Sequence, residues 1–179
     1  MPTSVPGNAV PAKLRRHEVD PSRLVEAAFE RIRIQYMSDV PFANPALQVQ
    51  ALDFDLWQDN WLGVLITPWF INLLLLPGAR GHWQSVSGNN RLFHSFPSGN
   101  YAFLGGAEAE IGEYQSCSLI STMSQFAEQE DACAVAREVI KNMLKGPDPV
   151  PEALKKEQNC QADEPSLSKR RFLLLGGRN

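Results

Sequence analysis

The run Trp61-Leu62-Gly63-Val64-Leu65-Ile66-Thr67-Pro68-Trp69-Phe70-Ile71-Asn72-Leu73-Leu74-Leu75-Leu76-Pro77 constrains this chain more than any other stretch. A membrane-spanning helix needs about 20 mostly apolar residues. Here Pro68 divides the run, Asn72 interrupts its second half and Pro77-Gly78 ends it. Proline lacks the amide hydrogen that a helix or an inner strand would use. Two buried strands, Trp61–Thr67 and Phe70–Leu76, apolar on both faces, fit better than one helix. No membrane span is expected.

Elements on either side follow from periodicity. Asp20-Pro21 predicts a helix start, and Val25, Phe29, Ile32 and Tyr36 give an apolar stripe to about Ser38. Leu47–Leu56 alternates apolar with polar residues but slips phase near Ala51, which predicts a strand carrying a bulge. Asp59-Asn60 reads as the turn of a hairpin. Gly78–Gly99 has no clear period and reads as loop. Tyr101–Gly105 and Glu113–Ile120 read as a second strand pair around Gly112. Ser124 is the expected cap of a second helix, striped by Phe126, Cys133, Ala136, Ile140 and Met143 and stopped by Gly146-Pro147. The expected fold is α+β: a mostly antiparallel sheet of four to five strands, two helices packed on one face, and flexible tails. The expected divisions are a disordered arm (1–19), a domain (20–146), and a tether with its tail (147–179).

Little in the chain points to catalysis. The three cysteines, Cys117, Cys133 and Cys160, form no Cys-x-x-Cys pair and no disulfide framework. Three prolines and no apolar core near the N-terminus argue against a secretion signal, so a reducing, cytoplasmic setting is expected. A formal net charge of −3 argues against a nucleic-acid partner. Cys117 with His82 or His94 is the one arrangement resembling a nucleophile and base, but a free cysteine in an apolar strand usually packs in a core. His82 and His94 have no ligand-like spacing to a shared carboxylate, so no metal and no cofactor are expected. Glu108, Glu110 and Glu113 form an acidic cluster suited to guanidinium groups.

The last residues are unusual. Ser168-Lys169-Arg170-Arg171-Phe172-Leu173-Leu174 has the order of a twin-arginine export signal, yet it stands at the C-terminal end, where it cannot serve as an address. It reads either as a basic, apolar tail that docks on its own domain or stays disordered, or as a copy of such a signal, able to act as a lid on a site that binds one. Basic residues also gather in Lys13-Leu14-Arg15-Arg16-His17, which reads as a solvated arm.

Five motifs in order, Val40-Pro41-Phe42-Ala43-Asn44-Pro45-Ala46-Leu47, Leu62–Trp69, Leu75-Leu76-Pro77-Gly78, Phe96-Pro97-Ser98-Gly99 and Gly112–Leu119, resemble the HybE family of nickel–iron hydrogenase assembly chaperones. The likeness runs from about Leu24 to Leu144. It implies a non-enzymatic, cytoplasmic maturation factor. Such a factor holds the hydrogenase small-subunit precursor, or its twin-arginine signal peptide, until cofactor assembly is complete, with other maturation factors as further partners. The alternative it leaves is an accessory or iron–sulfur-handling factor in a precursor complex. Some relatives carry a rubredoxin-like module, which is not expected here without Cys-x-x-Cys. On this reading an apolar groove near Trp61, Trp69 and Phe70, with Thr67, Pro68, Glu113 and Tyr114 at motif positions, receives the peptide. Asp53, Asp55 or the Glu108–Glu113 cluster would border the groove.

Overall fold

The computed structural model describes residues 13–37, 40–87 and 89–146. The expected tether and pseudo-signal tail, Ser168 to Leu173 included, lie outside the described residues, as do residues 1–12. In chain order the elements are α1 (Ser22–Tyr36), β1 (Gln50–Trp57), β2 (Asn60–Ile66), β3 (Ile71–Leu76), β4 (Arg91–Phe96), β5 (Gly99–Glu108), β6 (Gly112–Ile120), a 3-10 turn (Met123–Gln125) and α2 (Gln129–Lys145). The six strands form one antiparallel sheet ordered β1-β2-β3-β6-β5-β4. Two three-stranded meanders therefore meet along β3 and β6.

The hairpin β2–β3 occupies the middle of the apolar run and is buried on both sides. Leu62, Val64 and Ile66 of β2, with Leu73 and Leu75 of β3, belong to one core. Leu65 of β2 and Leu74 and Leu76 of β3 belong to a second. Alternate residues of a strand point to opposite faces, so these cores lie on opposite sides of the sheet. Helix α2 enters the first through Ala132, Cys133, Ala136, Ile140 and Met143. Helix α1 enters the second through Val25, Ala28 and Phe29. The expected fold class holds, with six strands instead of four to five. The helices, expected on one face, take one face each, because strands that are apolar on both faces must be covered twice.

The sheet is also strongly coiled. Laid flat, β1 and β4 would stand five strand spacings apart, about 24 Å. Instead the Trp57 ring at the end of β1 stacks on Phe96 of β4 at 4.4 Å and meets His94 edge-on at 5.6 Å. The concave side holds the first core, and α2 crosses the seam between the two edge strands. At its start Gln129 exchanges hydrogen bonds with Gln48 and donates to Gln50 Oε1 at 2.8 Å. At its end Met143 O accepts from Ser98 N, in the β4–β5 turn, at 3.3 Å.

Local details follow the residues. The bulge expected near Ala51 falls between Leu52 and Asp55, with Asp53 in the left-handed region at φ 52°. The hairpin turn is Gln58-Asp59, both at positive φ, one residue earlier than expected. Helix α1 starts at Ser22 with Asp20 Oδ1 accepting from Ser22 N at 2.8 Å. Ser124 does not cap α2: it sits in the 3-10 turn, and the helix opens at Gln129, behind Glu128, three residues after Phe126 terminates that turn. Strand β4 falls in the stretch expected to be loop. Phe103, fully buried at the centre of β5, touches His94 and Phe96. Phe103→Ala is therefore expected to destabilise the domain by about 3–5 kcal/mol in urea unfolding at constant m-value.

Candidate functional site

Three of the expected groove residues are packing residues of the β2–β3 corner. Thr67 is fully buried, and its Oγ1 accepts from Trp69 N (3.3 Å) and Phe70 N (3.0 Å) while donating to Phe70 O (3.0 Å). Pro68 is buried, and its carbonyl accepts from Asn44 N at 2.8 Å. Trp69 is 9% exposed and meets Phe70 edge-on at 5.7 Å. Phe70 and Tyr114 both pack edge-on against Phe29 of α1, at 6.2 and 5.9 Å. Burial, reinforced by the Glu108 carboxylate, pushes the Tyr114 hydroxyl up to about 12.

Trp61 shares this face, but it opens β2 while Trp69 lies beyond the strand's far end. Its Nε1 donates to His17 O at 3.0 Å. Glu113 is one residue out of phase with Tyr114 and so belongs to the opposite face. Its Oε2 accepts from Trp83 Nε1 at 3.0 Å and Ser85 Oγ at 2.5 Å. The seven residues are thus split between two faces and do not line one open groove: helix α1 already fills the aromatic part, because Phe29 needs the same apolar surface.

The acidic cluster does meet a guanidinium, from within the chain. Arg31 of α1 donates from Nε to Glu110 Oε1 (2.6 Å), and from Nη2 to Glu110 Oε2 and Glu108 Oε2 (both 2.8 Å). The Arg31 hydrogen bonds hold the Glu110 carboxyl below its ordinary value. Asp53 is paired with Arg137 at 3.5 Å, and Asp55 Oδ1 accepts from Leu56 N at 2.7 Å.

Two arrangements remain that could receive another molecule. The first is a pocket of about 290 Å³ beside β4, at the end of the seam that α2 does not cover. Trp57, Asn60, Leu75, His82, Trp83, Leu92, Phe93, His94 and Gln115 are among the residues lining it. Gln115 Nε2 donates to Gln84 O at 2.8 Å, which turns its Oε1 toward His94 Nε2 at 2.6 Å. His94 is therefore the donor in that bond. The Phe93 side chain (65% exposed) alternates with those of Leu92 and His94 along β4, and Leu104 (43% exposed) stands on the same face as Phe93. Among the described residues no main chain pairs with the outer edge of β4.

The second is built around the N-terminal arm. Expected to be disordered through residue 19, the arm is fixed from Lys13 onward. His17 is 5% exposed, pairs in parallel with Gly78, donates its main-chain N–H to Pro77 O at 2.9 Å, and bonds Ile111 O through Nε2 at 3.0 Å. Arg16 Nη1 donates to two carbonyls, Gly78 O at 2.9 Å and Gly81 O at 2.7 Å, and Arg15 Nη1 donates to Glu110 O. Asn60 holds that loop in place, its Oδ1 accepting from Gly78 N (3.2 Å) and its Nδ2 donating to His82 O (3.0 Å). Carbonyl acceptors leave no side-chain pattern in a sequence, so these contacts show there only as the adjacent Arg15-Arg16.

Neither arrangement offers reactive groups. Cys117 and Cys133 are buried, and burial raises both thiols, which disfavours the thiolate needed for attack. Among the described residues no group of His, Cys, Asp and Glu side chains is placed to hold a metal ion. No described helix is long and apolar enough to cross a membrane.

The arm's anchor responds to pH. Burial lowers the His17 pKa from 6.5, opposed by the bond to Ile111 O and assisted by nearby Arg15. The folded state thus binds fewer protons than the unfolded chain as pH falls below about 6.5, so stability from the neutral ring is complete above that value and lost below it. Melting curves between pH 8 and pH 5 are expected to fall more steeply for the wild type than for His17→Gln.

The sequence matches the family model described as NiFe-hydrogenase assembly, chaperone, HybE, over residues 20–176. It is 38% identical to Protein HoxT of Cupriavidus necator over 75% of this chain and 82% of that protein. It is 39% identical to the probable rubredoxin HupJ of Rhodobacter capsulatus over 75% of this chain, and spans about half (49%) of that longer protein. The solution structure of HybE from Escherichia coli superposes with a TM-score of 0.61 at 29% identity, covering 92% of this chain and 94% of that one.

Proposed function

The chain belongs to the HybE family of nickel–iron hydrogenase assembly chaperones, and from that premise we propose that it binds the hydrogenase small-subunit precursor and its twin-arginine signal in the cytoplasm. It holds them until cofactor assembly is complete and is not an enzyme. The observation that carries this reading is the open edge of β4, Arg91–Phe96, lying beside an aromatic pocket. An extended client segment can add to such an edge through main-chain hydrogen bonds while one of its side chains enters the pocket. In the two-residue hairpin closed by Phe96 and Gly99, the main-chain groups of Phe93 and Ser95 face away from β5 and are available to that segment. Two buried free thiols suit a reducing compartment.

Copurification tests the partner. Tagged chain is expected to retain small-subunit precursor bearing its signal and to retain less of the precursor from which the signal is deleted. Equal retention of both would make it an accessory subunit of the precursor complex, and retention of neither would end the proposal. Phe93→Glu is expected to weaken precursor binding by about tenfold, measured by calorimetry. Because Phe93 is exposed, its thermal stability is expected to stay within about 0.5 kcal/mol of the wild type.

A further inference from the structure

We propose that the cradle holding Arg15–His17 is a binding site for an extended peptide with two consecutive arginines, and that the N-terminal arm occupies it as a placeholder. The inference rests on the signal-binding reading above and assigns the arginine pair of the signal to a second surface, separate from the β4 edge that receives an extended client segment.

The acceptors are suited to guanidinium. One Arg16 nitrogen is shared by two carbonyls, Gly78 O and Gly81 O, and the next arginine back is taken by Glu110 O. An ionised donor strengthens each of these bonds, and the Arg16 guanidinium directs both hydrogens of one terminal nitrogen at the two carbonyls. Glu108 and Glu110 carry two negative charges against the one positive charge of Arg31, so a local excess of negative charge remains beneath Arg15.

The cradle belongs to the body and not to the arm. Asn60, buried in the body, sets the positions of Gly78 and His82. Gly78 lies so close to the β1–β2 turn that a Cβ there would fall 1.9 Å from Asp59 O. Gly112, at φ 74°, opens the path along which the arm runs: a Cβ at that position would come within 2.7 Å of both Arg15 Cβ and Lys13 O. The arm lies along this path. Its buried anchor is His17, and Arg15 and Arg16 remain exposed on their outer sides. A client peptide with the same pair of arginines meets the same acceptors and competes with the arm.

The test is the binding of a fluorescein-labelled peptide, Ser-Arg-Arg-Ala-Phe-Leu-Leu, to the full chain by anisotropy. A tethered arm presents itself at about 1 mM, and with a weak intrinsic affinity of about 100 µM it would reduce an outside peptide's affinity about tenfold. The double variant Arg15→Ala/Arg16→Ala is therefore expected to bind the peptide about tenfold more tightly than the wild type. Misfolding could not produce such a gain. Arg15→Lys/Arg16→Lys keeps the charge and loses the guanidinium, and it is expected to gain about threefold; a value equal to wild type would mean that bulk charge alone governs binding and would overturn the cradle. Equal affinity in wild type and the alanine variant would also overturn it, while leaving signal binding intact at another surface. No binding by any of the three would remove the signal reading and this inference together.

Discussion

A strand hairpin that is apolar on both faces has to be covered twice, and the architecture answers that requirement. With β2 and β3 at the interior of the sheet, α1 closes one face and α2 the other. Each helix places only a narrow stripe of side chains on the sheet: Val25, Ala28 and Phe29 from α1, and Ala132, Cys133, Ala136, Ile140 and Met143 from α2. Coiling supplies the rest. By bringing Trp57 onto Phe96, the sheet folds its own edges over the concave core, and α2 has only the seam to close.

The same economy explains where the open surfaces fall. Near the β4–β5 turn the seam is covered by α2; toward the start of β4 it is not, and the pocket lies there. On the convex side α1 covers β1 to β3, and the arm seals the end where Trp61, Ile111 and the Gly78–Gly81 loop meet. Polar atoms at that end are satisfied largely by main-chain carbonyls, which makes it a place where an extended segment can be held without a dedicated side-chain pocket.

Much of this was written in the residues. The split at Pro68, the slipped phase of β1, the Gly146 stop and the Cys133–Met143 part of the α2 stripe each have a local cause, whereas Phe126, expected in that stripe, closes the 3-10 turn ahead of the helix. Burial of both faces of β2 and β3 was equally legible, yet the two helices were expected on one face and in fact cover one each. Strand β4 was not legible, because Arg91-Leu92-Phe93-His94-Ser95-Phe96 is an edge strand with an exposed phenylalanine on one face and a histidine on the other, which erases the alternation. The site was the least readable part. Thr67, Pro68 and Trp69 are distinctive because the β2–β3 corner needs them, whereas the carbonyls around Arg16 belong to residues whose identity matters mainly for backbone path.

The seam has a dynamic consequence. Edge strands β1 and β4 approach each other through stacked rings and a bridging helix, with no ladder of amide bonds between them. A rotamer change at Trp57, or a small tilt of α2, can widen the gap while every pairing inside the sheet survives. Amide exchange would then be fastest along the two margins and slowest in β2, β3 and β6, giving the molecule a rigid spine with a compliant rim.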